Sequence, residues 1–486
     1  MSTSTIAQKI WSYCDTLRDD GLGYNDYLEQ LTYLLFLKMA DENKSKYNLP
    51  AICNWKELVS NSGGPLLEQY EQVLKTLADS GGMLGKIFVN AQNKIHDSVK
   101  LRRLLQLIDE DNWSSTDSDV KGEIYETLLQ KNAENSGAGQ YFTPRPVIQA
   151  MVECINPIPG ETIADPSCGT GGFFLGALNH IHEHNELLEN EENFLKFDTF
   201  HGWEIEKATA RLCLMNLYLH GVGDLQKTPD IQVSDSLNPI KVNKEVPKVK
   251  IVLANPPFGK SSSDIPTTDE NQAKKEGYFL RKDFWVTTSN KQLAFLQHIV
   301  AMLEDNGRAA VVLPDNVLFE GGAGEIIRKK MLEEANLHTI LRLPTGIFYA
   351  QGVKSNVLFF EKKKDDDIIG TKEIWFYDYR TNVHHTPKNN PITFKHLSDF
   401  VKCYKVGNEN KRIESWTADD INGRWRKYTY EEIIGRDKTN FDVFWLKDEN
   451  TIDLDNLPDP ELLIDDIIEN IESALANFRT IKDSLN

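Results

Sequence analysis

The chain is poor in cysteine and has no Cys-x-x-Cys spacing: Cys14, Cys53, Cys154, Cys168, Cys213 and Cys403 lie scattered over 486 residues. That pattern argues against both a disulfide framework and a zinc ribbon. No apolar run approaches the ~20 residues of a membrane span. The opening Met1-Ser-Thr-Ser-Thr-Ile6 lacks the basic and apolar regions of a secretory leader, so reduced thiols, a cytoplasmic location and no membrane partner are expected. Positive charge is also short, with 54 Lys and Arg against 73 Asp and Glu and a formal net charge of −19. Phosphate contacts dominate nucleic-acid affinity and need Lys and Arg. The chain is therefore not expected to grip a nucleic acid unaided. Local basic stretches, residues 241–250 and Lys274-Lys275 through Arg281-Lys282, read individually as solvated loop charge.

Residues 1–130 lack strand-like alternation and carry helical periodicity instead. Ile6, Ile10, Trp11, Tyr13 and Leu17 form one stripe; Tyr27, Leu28, Leu31, Leu34 and Leu35 form another after the Gly21-Leu-Gly23 break. Residues 99–108 and 124–129 continue it, so an all-α domain is expected over 1–130. Beyond it, short apolar runs alternate with helical stretches. Strands are expected at 162–165, 200–204, 231–237, 251–254, 308–314, 338–343 and 356–360, helices at 147–154, 173 onward, 208–219, 292–303 and 325–335. This alternation implies an α/β domain over 131–400 with a doubly wound, mostly parallel sheet. Residues 261–290 read as a long polar loop, and 401–486 as a carboxyl-terminal segment. The latter ends in a helix with Ile464, Ile467, Ile468, Ile471, Leu475, Phe478 and Ile481 on one stripe, suited to subunit association.

Four places carry chemistry. The strand 251–254 stops at Asn255-Pro256-Pro257-Phe258, where two prolines end the ladder and leave an Asn side chain and a rigid carbonyl at the sheet's carboxyl edge. A Pro-Pro pair also serves as a plain strand terminator. Asp165-Pro-Ser-Cys-Gly169-Thr170-Gly171-Gly172 joins a strand to a helix through a glycine turn that lets a ligand approach backbone N–H groups. Glu204 closes the next strand, where an acid accepts hydrogen bonds from ribose hydroxyls, and Asp235 closes the one after. Residues 137–146, Gly-Ala-Gly-Gln-Tyr-Phe-Thr-Pro-Arg-Pro, break the helical pattern and start a new helix at Pro146. His180, His182 and His184, with His180 and His184 on one helical face, are read as the wet end of a helix, and no metal is expected.

Taken in order, Leu17-Arg-Asp-Asp-Gly-Leu-Gly-Tyr24 through Lys38, Gly139-Gln-Tyr-Phe-Thr-Pro144, residues 165–173, Asn255-Pro-Pro-Phe258 and Leu343-Pro-Thr-Gly-Ile-Phe348 with Gly352-Val353 resemble the modification subunits of type I restriction-modification systems. These are γ-class N6-adenine DNA methyltransferases. The resemblance spans most of the chain and implies the class I S-adenosylmethionine-dependent methyltransferase fold. By it, Gln140, Tyr141, Phe142, Thr143, Pro144, Arg145, Asp165, Gly169, Thr170, Gly171 and Gly172 surround S-adenosyl-L-methionine, Glu204 takes its ribose and Asp235 lies near its adenine. Asn255, Pro256, Pro257 and Phe258 are the catalytic residues, with Phe258 standing where Tyr is commoner. The partners implied are DNA, one specificity subunit for two copies of this chain, and a translocating restriction subunit. Two rival readings stay open on the motifs: a methyltransferase of protein glutamine or of RNA amino groups on the same fold, and a catalytically silent assembly subunit.

Overall fold

The computed structural model describes residues 24–42, 49–110, 129, 142–224, 226–238, 246–261, 265–276, 278–348, 354–363, 370–386, 390–447 and 468. The expectations for residues 6–23, for 124–128, for 137–141 including Gln140 and Tyr141, for Gly352 and Val353 and for the carboxyl-terminal helix lie outside these residues. Only Ile468 of that helix is described, and its side chain is exposed.

The amino-terminal region is helical where described: α1 (Tyr24–Glu42), α2 (Trp55–Ser60), α3 (Gly63–Ala78), α4 (Gly82–Phe88) and α5 (Ser98–Asp109). Apolar residues at intervals of three and four turn inward, Tyr27, Leu28, Leu31 and Leu34 on α1 and Leu101, Leu104, Leu105 and Ile108 on α5. The carboxylate of Asp97 caps α5 by accepting from the amides of Val99 and Lys100. At its other end Asp109 receives Lys38 Nζ at 2.7 Å and Trp55 Nε1 at 2.8 Å, which ties α1 and α2 to α5.

Strands then alternate with helices. The strands are β1 (Ile163–Asp165), β2 (Phe200–Glu204), β3 (Asp230–Val233), β4 (Val249–Ala254), β5 (Pro266–Thr267), β6 (Phe279–Leu280), β7 (Leu303–Pro314), β8 (Ala335–Leu343), β9 (Ser355–Lys362), β10 (Glu373–Asp378) and β11 (Trp425–Thr429). The helices are α6 (Arg145–Ile155), α7 (Gly172–His184), α8 (Glu189–Phe197), α9 (Lys207–Leu219), α10 (Glu270–Glu276), α11 (Lys291–Met302), α12 (Asn316–Phe319), α13 (Ala323–Glu334), α14 (Phe394–Tyr404) and α15 (Tyr430–Ile434). Nine strands form one sheet in the order β11-β10-β8-β9-β7-β4-β1-β2-β3, while β5 and β6 pair separately. The run β3-β2-β1-β4-β7 is parallel, and β9 lies antiparallel between β7 and β8. Alternate residues of each strand enter opposite cores. Ile251 and Leu253 join the core shared with α6, α7 and the amino-terminal helices; Val252 and Ala254 join the one beneath α11 and α13. Burial on both faces is why the inner strands read as continuous apolar runs. No helix among the described residues is long and apolar enough to cross a membrane.

Three expectations need correction. The sheet does not end before residue 400, because β11 pairs antiparallel with β10 through Trp375↔Lys427 and Tyr377↔Trp425. The region 261–290 is not structureless where described: it holds β5, α10 and β6, two-residue strands too short to show a period. Its anchor is Arg281, only 1% exposed, which donates to the Leu237 carbonyl at 2.8 Å and to Asp283, so this cation is internal and not surface charge. Finally, His180 is buried and only His182 and His184 are exposed. The cause is Gly176, where a Cβ would fall 2.6 Å from Ile148, so that α6 closes tightly over α7.

The Leu343-Pro-Thr-Gly-Ile-Phe348 segment shows how tightly such turns are fixed. Gly346 has φ +79°, and a Cβ there would lie 1.9 Å from the carbonyl oxygen of His385. Gly407 has φ +67° but open space around it. Gly346→Ala should lower the unfolding free energy by about 2–4 kcal/mol and Gly407→Ala by about 1 kcal/mol. Urea unfolding of both variants checks this, and equal losses would remove the steric part of the explanation.

Candidate active site

Parallel neighbours finish on the same edge of a sheet. β1 is in register with β2 through Asp165↔Gly202 and with β4 through Ala164↔Val252, so the segments that follow β1, β2, β3 and β4 open together. They bound a cavity of about 840 Å³, within the ~300–1,000 Å³ of small-molecule sites.

The turn after β1 is held from behind by its own backbone, with the Cys168 N–H on the Trp203 carbonyl at 2.9 Å and the Gly171 N–H on the Cys168 carbonyl at 2.8 Å. Gly169 and Gly171 have φ of +53° and +85°, a region that disfavours any side chain. Space around Gly169 is open, whereas a Cβ on Gly172 would lie 3.1 Å from both Arg145 Nη1 and Ile148 Cδ1. The turn is thus bare on its cavity side and closely packed at the start of α7. Arg145 Nη1 donates to the Gly172 carbonyl at 3.1 Å, and its guanidinium sits 5.8 Å from the centre of the Phe142 ring.

Acidic groups line the same cavity. Glu204 accepts the Gly169 N–H at 3.2 Å and the Glu206 N–H at 2.8 Å, and burial raises its pKa. Asp165 is 2% exposed; burial lifts its carboxyl to about 8, the Glu204 charge adds to this, and the Ser167 N–H at 2.9 Å opposes it. Carboxyls that resist ionisation in such a wall gain from a cation placed beside them. Asp235 lines the cavity and accepts the Leu237 N–H at 3.0 Å.

Asn255 projects from the end of β4. Its Nδ2 donates to Thr143 Oγ1 at 3.0 Å, and its carbonyl accepts from Ser167 Oγ at 3.4 Å. Asn255 and Pro257 line the cavity; Pro256 is buried and Phe258 half-buried outside its lining. The loop's exit is fixed by the Lys291 N–H on the Gly259 carbonyl at 2.9 Å and the Ser261 N–H on the Ser289 carbonyl at 2.7 Å.

Phe142, Thr143, Arg145, Asp165, Gly169, Thr170, Gly172, Glu204 and Asp235 all reach the cavity wall. Gly171 lies behind it, and Pro144 serves as the residue preceding α6. Sequence reasoning missed Ser167, Trp203 and Phe295 on the wall and Glu29, which arrives from α1. Ser167 sits inside the glycine motif and could have been named from it, but nothing local points to Glu29.

The strand order with an antiparallel β9 between β7 and β8, the glycine turn after β1 and the acid after β2 are those of the class I methyltransferases. The N-6 DNA Methylase family model matches residues 116–441, and the HsdM N-terminal domain model matches 6–49. Across 527 aligned residues the chain is 36% identical to the type I restriction enzyme EcoKI methylase subunit of Escherichia coli (strain K12), over 100% of this chain and 96% of that one. The crystal structure of the EcoKI M protein matches with a TM-score of 0.55 at 32% identity, covering 99% of this chain and 96% of that one. A modification subunit of a putative type I restriction enzyme from Vibrio vulnificus YJ016 shares the fold, with a TM-score of 0.70 at 24% identity over 94% of this chain and 99% of that one. The chain therefore belongs to the methylase subunits of type I restriction enzymes and is an adenine-specific DNA methyltransferase.

The raised pKa of Asp165 has a consequence for stability. An unfolded Asp loses its proton near ~3.9, whereas the folded group keeps its own to about 8. Between those values the native state binds more protons than the unfolded one, so stability falls as pH rises through this window. Asp165→Asn should flatten that slope, an outcome read from melting temperature between pH 4.5 and 8.5. An unchanged slope would mean that Asp165 ionises normally.

Proposed function

We propose that the cavity binds S-adenosyl-L-methionine and that the Asn255 loop presents to it the N6 amino group of an adenine turned out of DNA, whose sequence a separate subunit reads. The observation that carries this is the hydrogen bond from Asn255 to Thr143 on the wall that also holds the glycine turn and Glu204. When bound, S-adenosylmethionine supplies an electrophilic methyl group on a sulfonium. Gly169, Thr170 and Gly172 would cradle it, Glu204 would accept from its ribose, Asp235 would lie at its adenine, and Phe142, Thr143 and Arg145 would flank it. The fit rests on chemistry present in the wall: open backbone at Gly169 and two carboxyls that gain from a cation.

The adenine amino group is a weak nucleophile because its lone pair is delocalised into the ring. With its NH2 group held by Thr143, the Asn255 amide keeps Oδ1 as an acceptor, and the Pro256 carbonyl is a second acceptor on a rigid backbone. Accepting both N–H bonds draws the nitrogen toward tetrahedral geometry and aims its lone pair, which is positioning combined with electrostatics. The methylated nitrogen is acidic enough to release its proton afterwards without a prior base. A base inside a duplex cannot be reached, so it must flip out, and Phe258 offers a ring face for stacking.

In this reading two copies of the chain join one specificity subunit, a translocating restriction subunit completes the restricting complex, and the assembly works in the cytoplasm. The net charge of −19 supports a partner that brings the basic surface.

Asn255→Ala should keep labelled-cofactor affinity within about threefold and lower kcat by roughly three orders of magnitude. Thr143→Val, which keeps the shape and loses the hydroxyl, should lower kcat about ten- to a hundredfold at nearly constant KM for DNA. Parallel loss of cofactor binding in both variants would overturn the assignment of the loop. Methyl transfer to adenine N6 of unmethylated DNA should require co-expression with the specificity subunit; equal transfer by the chain alone would refute the division of labour.

A further inference from the structure

α6 and α7 lie side by side, with the glycine turn at the start of α7 and Arg145 at the start of α6. Roughly 12 Å further along α6, a second cluster forms that neither the cavity nor the Asn255 loop uses. Glu153 of α6 meets His180 and His184 of α7, one ligand atom from each lying within 4.8 Å of the others. His180 Nδ1 stands 3.8 Å from Glu153 Oε1, and the two imidazoles stack with centroids 4.2 Å apart.

The other ring nitrogens fix the tautomers. His180 Nε2 faces Asn156 Oδ1 at 3.0 Å, so Nε2 carries the proton and Nδ1 the lone pair. His184 Nδ1 lies 2.9 Å from the His180 carbonyl oxygen, so Nδ1 carries the proton and Nε2 the lone pair. Metal-bound imidazoles show this pattern, the remote N–H held by an oxygen and the near nitrogen turned to the ion. His180 Nδ1 is buried without a hydrogen-bond partner on a side chain only 5% exposed, an orphan acceptor that calls for an explanation. Burial also lowers the His180 pKa to about 4, with His184 adding to the effect, so the ring is neutral at physiological pH.

We propose that Glu153, His180 and His184 form a binding site for a divalent transition metal of the zinc type, with Glu153 Oε1, His180 Nδ1 and His184 Nε2 as ligands. Two imidazoles and one carboxylate suit zinc and its neighbours rather than magnesium or calcium, which take oxygen ligands. Tetrahedral coordination with bonds of ~2.0–2.1 Å places ligand atoms about 3.3 Å apart, so the three atoms, 3.8 Å apart for Glu153 and His180 and within 4.8 Å overall, close on an ion when the exposed His184 ring rotates out of its stack on His180. The exposed side of His184 leaves a position for water. Such an ion would pin α6 to α7 behind the cofactor turn, acting on the frame and not on the reaction.

The test uses the full-length chain, stripped with chelator and titrated with Zn2+ by calorimetry and with Co2+ as a spectroscopic probe. One equivalent of zinc per chain, a raised melting temperature and the intense visible bands of four-coordinate cobalt are expected. Glu153→Gln and His184→Ala, both outside the core, should weaken binding at least about tenfold, while His182→Ala, a neighbouring exposed histidine, should bind as the parent does. Absence of a one-equivalent site, or parental affinity in both Glu153→Gln and His184→Ala, would overturn the proposal.

Discussion

Parallel pairing of β1 with both β2 and β4 is the constraint on which the site depends. Parallel strands need crossover helices, so residues that finish adjacent strands are far apart in the chain yet share one edge. Asp165, Glu204 and Asn255 become neighbours in this way. The Gly169 amide on Glu204 and the Ser167 hydroxyl on the Asn255 carbonyl then fasten the three strand ends to one another. A shift of one residue in any of these strands would exchange its two faces and put both cores on the wrong side of the sheet.

The helical amino-terminal region is part of that wall. Arg211 on α9, the helix after Glu204, donates to the Glu29 carboxylate, the Tyr33 hydroxyl and the Val89 carbonyl. Glu29 also meets Lys94 at 3.1 Å and itself lines the cavity. Because Arg211 is buried, removing Glu29 would strand a charge in the interior, where breaking a pair costs far more than the pair contributes. The two regions are therefore coupled at the wall where Glu204 lies, and what settles one settles the other.

The inner strands β4, β7 and β9 were legible because burial on both faces writes itself as apolar runs. The ribbon β5–β6 was not, since two residues carry no period, and β11 was not because Arg426, Lys427 and Tyr428 give an edge strand a polar look. That Gly169 and Glu204 reach one cavity was legible for a related reason: each stands at the carboxyl end of a parallel strand. Contacts between distant segments have no such signature. The bond from Asn255 to Thr143 crosses 112 residues, and His180 meets Glu153 where Gly176 lets α6 approach α7.

The deficit of positive charge is deeper at the surface than the composition states. Arg281 and Arg328 are each 1% exposed and Arg342 is fully buried, and their guanidinium groups hold carbonyls and carboxylates in the interior. Arg328 alone donates to the carbonyls of Val317, Glu320, Lys438 and Thr439, an internal staple between α12, α13 and the segment after α15. These cations balance the formal count without being available to phosphate. Release of counterions can drive binding only where Lys and Arg face solvent, which these buried arginines do not.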